Sequence, residues 1–254
     1  MPDAHDIDGV VAELDRIIAT ATAEGSRIGL FAALYRQVTL RVRQGIARGL
    51  FEDGPRMAML DTVFANRYLE ALAAWQTGGS LSKSWWCAFE ASRRTDLILL
   101  QHLLLGINAH INLDLGVAAA TICPGATLAP LHTDFDRINQ ILASLTDEVK
   151  HVVARFSPML HLLEEIPADV EDAMINFSMT IARDDAWQHA ALLAAQAPPQ
   201  QGPTIALIDA KTAFLGRLIA DPAKILTTVL DAVHLGESRD IPAVITALNA
   251  IVTA

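Results

Sequence analysis

Apolar side chains recur at helical spacing along almost the whole chain, with no sustained period-two alternation and no Asn-Gly hairpin signal. Val10, Val11, Leu14, Ile17 and Ile18 mark one helix, and Leu30, Ala33, Leu34, Val38 and Leu40 a second, parted by Glu24-Gly25-Ser26. After Asp53-Gly54-Pro55, the stretch from Met57 to Trp75 places Leu60, Phe64, Tyr68 and Leu72 on one stripe, and Gly78-Gly79 ends it. Ser80 or Ser82 caps a following helix that holds Trp85, Trp86 and Phe89 and runs to about Thr95. Asp96 begins a long apolar segment, which Cys123-Pro124-Gly125 stops.

Further along, His132 to Phe156 reads as a helix with Asp134 as its N-cap. Ser157-Pro158 and Ile166-Pro167 bracket a short helix and open a longer one from about Ala168 to Gln196. Residues 197–203, Ala-Pro-Pro-Gln-Gln-Gly-Pro, form an internal linker. Beyond it, Asp221-Pro222 and Asp240-Ile241-Pro242 are start signals for helices that fold back on the body over 204–254. The pattern predicts an all-α fold: one multi-helix globular domain over 1–254, with a central buried helix near 97–122.

Composition sharpens this picture. Hydrophobic residues are 52% of the 254 and charged residues 19%, which excludes disorder and calls for elements buried on more than one face. A net charge of −10 with no basic run disfavours nucleic acid as a partner. Cys87 and Cys123 are the only cysteines and read as reduced thiols of a cytoplasmic protein. The opening Met1-Pro2-Asp3-Ala4-His5-Asp6 lacks the marks of a signal peptide. No repeat, glycine-rich phosphate loop or Gly-x-Ser-x-Gly motif is present, which lowers the odds of a Rossmann domain, a P-loop enzyme or an α/β-hydrolase.

The segment from Leu97 to Cys123 is long enough to span a bilayer. It carries His102, Asn108, His110, Asn112 and Asp114, however, which would be costly in lipid, so no membrane association is expected. On a regular helix, with His102 at zero, His110 falls near about 80°, Asp114 near about 120°, Asn108 near about 240° and Asn112 near about 280°. Polar groups spread in this way suit a central helix whose partners come from several neighbours, because each one buried alone would cost roughly 1–3 kcal/mol. Gly106, one turn before His110, suggests space kept open there for a backbone or a ligand.

The run His102-Leu-Leu-Leu-Gly106-Ile-Asn108-Ala-His110-Ile-Asn112-Leu-Asp114 resembles that of an uncharacterised all-helical family known only as a domain of unknown function. Asp61 to Tyr68, Asp134-Phe135 with Asn139, and Arg183 with Ala186-Trp187 also resemble its pattern, so the likeness spans roughly residues 55–190. The resemblance implies an all-helical fold and a shared polar centre, and brings no activity with it.

His110 and Asp114, four apart, are the candidate catalytic pair and the candidate metal ligands. His132/Asp136, Asp147/His151, His161/Glu165 and Asp185/His189 share that spacing, but only His110/Asp114 sits in an apolar helix. Three readings stand side by side: ligands to one divalent metal ion, an acid/base or substrate-binding pair, and a satisfied structural network. His102 lies about 12 Å along the helix from His110, too far for one metal, so it belongs to the surroundings with Asn108 and Asn112. Asp61, Asp134 and Asp185/His189 are the candidates to complete a ligand set.

Trp85, Trp86, Phe89 and Trp187 read as core or as the wall of an apolar pocket, with Trp86 the candidate binding residue, and Arg183 as an anion site or the partner of a nearby acid. Asn176, Thr180 and Asp184 repeat every four residues like a magnesium triad, without the acidic partner motif such a site needs. The functional expectation is a small-molecule enzyme, in its sharpest form a metal-dependent hydrolase using a metal-bound water. The alternatives are a non-catalytic binding protein for an apolar small molecule and a structural protein whose polar island fixes helix packing.

Overall fold

Start and stop signals along the chain do most of the work of cutting it into helices, and the computed structural model describes them over residues 4–166, 174 and 177–251. Helix α1 (Ile7–Glu24) opens on Asp6, whose carboxylate accepts the Gly9 N–H, and closes on Gly25 at φ +64°. Helix α2 (Ile28–Ala47) follows at once. Helix α3 (Gly54–Thr77) has Asp53 as N-cap, Pro55 in its first turn and Gly78 in the left-handed region at its end. Ser82 caps α4 (Lys83–Ala91), which stops short of Thr95.

The long apolar segment is α5 (Leu99–Ile122). Its first turn is closed both locally, where Gln101 Oε1 accepts the Ile98 N–H at 3.1 Å, and from a distance, where the Glu237 carboxylate accepts the Leu99 N–H at 2.9 Å. Asp96 is therefore not its cap, and a partner 138 residues away supplies what local sequence does not. Helix α6 (His132–Phe156) comes next, then α7 (Met179–Ala194), capped by Ser178. The start expected near Ala168, and Asn176 of the four-residue triad, lie outside the described residues.

Pro198–Gln200 form a single 3-10 turn, and α8 (Gln201–Ala220) already contains Gly202 and Pro203, so the linker is shorter than 197–203. Asp221 closes α8 rather than opening α9 (Lys224–Gly236). Asp240 does cap α10 (Ile241–Asn249), accepting the Ala243 N–H.

Among the described residues there is no strand, and the fold is all-α. Helix α5 packs against α2, α3, α4, α7 and α8. It is long and apolar enough to cross a membrane, yet 94% of its apolar window is buried by the protein's own helices. Helix α10 closes over α1, α2 and α6. Two glycines of α5 set how near its neighbours come. A Cβ at Gly106 would stand 2.5 Å from the Phe31 ring of α2, and one at Gly116 would stand 2.7 Å from the Ala186 carbonyl of α7. Phe31 thus takes up the space where a side chain at 106 would stand, while Gly106 also lines a narrow cleft beside it.

Candidate functional site

All five polar side chains of the α5 motif are buried: His102, Asn108, His110, Asn112 and Asp114 are each at most 8% exposed. They do find partners on different helices. Asn108 Nδ2 donates to the Thr212 carbonyl of α8 at 2.9 Å, and Asn112 Nδ2 donates to Asn108 Oδ1 at 2.9 Å. The Asn108 amide thus ties α5 to α8, and Asn112 holds it in place from the next turn of α5.

At His110 the helix changes its winding. Residues His110–Leu115 form a π-helical turn inside α5, which a regular 100° wheel does not anticipate. Widening the turn alters which carbonyls are satisfied within the helix, and the His189 imidazole of α7 meets the backbone carbonyl of Asn112. Glycine at 116 lets α7 come this close.

Asp114 is held by three groups. Arg67 Nε of α3 donates to Oδ1 at 2.7 Å, and the Trp85 indole N–H of α4 donates to Oδ2 at 2.7 Å. His110 Nδ1 lies 3.4 Å from the same Oδ2. Burial pushes the Asp114 carboxyl up, but Arg67, His110 and Trp85 outweigh it and hold the group below the usual carboxylate range. Burial pulls the His110 imidazole down against the opposing pull of Asp114. The pair at neutral pH is a carboxylate beside a neutral imidazole. Nδ1 carries the proton that faces the carboxylate, and Nε2 keeps its lone pair.

His110 Nε2 is buried with no hydrogen-bond partner among the described residues. Its ring stacks on Phe64 at 3.5 Å between centroids and 9° between planes, and Tyr35 stands edge-on at 4.4 Å. Phe31, Trp85 and Tyr68 complete the surround, at 5.6, 5.9 and 6.3 Å. The chain has only two tyrosines, and both are here. The Tyr68 hydroxyl, like Asp61 Oδ2 one turn before Phe64, is buried without a partner among the described residues, and the Tyr35 hydroxyl lies beside Thr39. Burial raises the Asp61 carboxyl to about 7 and drives Tyr35 upward, with Asp61 adding to the shift at Tyr35. Helices α2, α3 and α5 therefore form a tightly packed aromatic chamber around a lone-pair nitrogen, with two phenols in its wall and the Asp61 carboxyl near Tyr35. Buried polar atoms are normally paired, so such a cluster asks for an explanation.

The other candidates lie elsewhere. Asp134 does not cap its own helix; its carboxylate accepts the Glu52 and Asp53 N–H groups at 2.7 and 2.9 Å and Arg137 Nη1 at 2.8 Å, anchoring the start of α3. Arg183 is buried, donates to Asn139 Oδ1 and the Phe135 carbonyl, and lies over the Phe135 ring at 4.3 Å. Trp86 is 56% exposed, whereas Trp85 beside it is buried against Asp114. Asp185 pairs with Lys211 on the surface. No group of three or more His, Cys, Asp or Glu side chains converges among the described residues, so the divalent-metal reading finds no third ligand there.

Periodicity alone misses Arg67, Trp85, Tyr35, Phe64 and Tyr68 as neighbours of the pair. The scarcity of tyrosine and the placing of Phe31 and Tyr35 four apart on one helix face were the available signals.

A family model described as a family of unknown function (DUF5995) matches residues 7–222. No curated protein matches the chain, and no solved structure does.

Proposed function

We propose that this chain, which belongs to the DUF5995 family of unknown function, is an enzyme that works on a small molecule by acid–base chemistry, with His110 as the general base and Asp114 as the residue that orients it. The observation that carries the reading is His110 Nε2, a lone pair in a dry aromatic chamber whose ring is fixed by Asp114 on one nitrogen and Phe64 on one face. Such a nitrogen is available to take a proton, and the opposite nitrogen, facing a carboxylate, stabilises the imidazolium that results. The π-turn supports the same view, since a local departure from α-winding costs backbone hydrogen bonds and recurs at functional sites. Asp61, half-protonated near pH 7 and close to Tyr35, offers a proton donor one turn from Phe64 on the same helix.

One observation favours a second reading, that the island only fixes helix packing: Asp114 is already saturated by Arg67 and Trp85. Incubating a deproteinised cell extract with wild type or with His110→Gln, and following every mass consumed or formed, separates the two. The enzyme reading expects at least one metabolite turned over by wild type alone, with His110→Gln folded. Identical metabolite profiles, together with a large loss of stability in His110→Gln, would establish the structural reading.

A further inference from the structure

We propose that the narrow cleft between α2, α4 and α5, bounded by Arg27, Phe31, Tyr68, Trp85, Ala88 and His102, is the entry to the His110 chamber and passes small uncharged molecules that carry an O–H or N–H donor. The proposal rests on His110 being the working base and names the substrate class of that site.

The cleft and the chamber share their walls. Phe31, Tyr68 and Trp85 line the cleft on one side and surround the His110 ring on the other. Two atoms that lack partners belong to residues lining the cleft, His102 Nε2 and the Tyr68 hydroxyl, on side chains 7% and 0% exposed. The His102 ring lies beside the Leu97 backbone, and its Nε2 is left without a partner among the described residues. Burial, with Arg27 and Arg94 nearby, keeps this imidazole neutral down to about pH 3. His110 Nε2 is an acceptor deeper in. A visitor must therefore donate a hydrogen bond there.

Charge is selected against on both signs. Arg27, half-buried at the cleft, repels cations. Past it a carboxylate meets the lone pair of His102, and the nearby arginines are engaged, Arg94 by Asp96 and Asp221 and Arg67 by Asp114. The chamber itself is balanced below about pH 7: Asp114 is matched by Arg67, His110 and the tyrosines are uncharged, and Asp61 ionises only near pH 7. The opening holds about 20 Å³, one water-sized group at rest. Passage from the cleft to the His110 ring requires the Phe31, Tyr68 and Trp85 rings, which contact one another at 5.2, 5.7 and 5.2 Å between centroids, to part. Small amides, ureas and alcohols meet all these conditions.

Acetamide and urea, compared with acetate and methylammonium, are the probes, and the Trp85 indole and His110 imidazole NMR signals are the readout. Acetamide and urea should shift both sets of signals and the two ions should not. Ala88→Leu, which fills the cleft without touching a polar group, should remove the shifts; Ser92→Leu at the same cleft serves if that variant does not fold. In His110→Gln the Trp85 indole should still respond to acetamide. Shifts that survive both cleft variants, an equal response to acetate, or no response to either neutral probe would overturn the entry proposal. Turnover lost in His110→Gln would leave the enzyme reading standing in each of those cases.

Discussion

Replacing Asp61 by Asn should make the protein more stable, and by an amount that grows with pH. The Asp61 side chain is 7% exposed, and burial lifts its carboxyl from 3.8 to about 7. The folded state therefore holds the proton more tightly than the unfolded state does. Below the unfolded value both states are protonated and Asp61 costs nothing extra. As pH rises from there to about 7, the unfolded chain ionises freely while the folded chain resists, so stability falls by about 1.4 kcal/mol per pH unit. Above pH 7 both states are ionised and the loss levels off at about 4 kcal/mol. Asparagine has nearly the shape of the protonated acid, keeps a donor and never ionises.

Urea unfolding of wild type and Asp61→Asn at pH 4.5, 6, 7 and 8 tests this, because groups elsewhere cancel in the difference. The gap should open steadily from pH 4.5 and flatten near 7 to 8. A pH-independent gap would mean that water reaches the carboxyl freely. A variant that loses stability as pH rises would mean that a cation pairs with it, and the uncharged chamber would then be wrong.

Asp114→Asn should cost about 2–3 kcal/mol at pH 7 in the same assay, since it strips Arg67 of its buried partner. An unchanged melting curve would show that this carboxylate is spare. Asp134→Ala should cost about 3 kcal/mol or more, because two backbone N–H groups and Arg137 lose their acceptor. Wild type should lose that contribution as pH falls through the depressed Asp134 value, and no such acid limb should remain in the variant. Gly106→Ala gains about 1 kcal/mol of helix propensity but collides with Phe31, so a net loss of about 1–2 kcal/mol is expected by thermal unfolding.

How far the fold could be read from sequence depends on where each determinant lies. Ends fixed by neighbours were legible: Gly25 and Gly78 close α1 and α3, and Asp53 and Asp240 open α3 and α10, each within a turn of the helix it bounds. Ends fixed from afar were not. Helix α5 begins where Glu237 caps it, and Asp134 serves α3 across 81 residues of chain rather than its own helix. The polar island was legible because an apolar helix should not carry five polar groups. Its partners were not, since Arg67 and Trp85 converge on Asp114 through tertiary packing. A single π-turn leaves no periodic trace, and Gly106 could not reveal whether a ligand or Phe31 would fill the gap.

The way α10 closes over α1 and α2 also bears on how the chain reaches its native state. Gln37 Nε2 donates to the Asn249 carbonyl across 212 residues, and the Ile245 side chain sits where a Cβ at Gly29 would come within 2.6 Å. During synthesis the apolar flank of α1 and α2 leaves the ribosome long before the helix that covers it exists. At about 5–20 residues per second, that flank stays bare for roughly 10–40 seconds. Contacts of such long sequence separation form slowly even in the finished chain. The nascent protein thus displays a bare apolar surface for much of its synthesis, the kind of surface on which partly made chains aggregate.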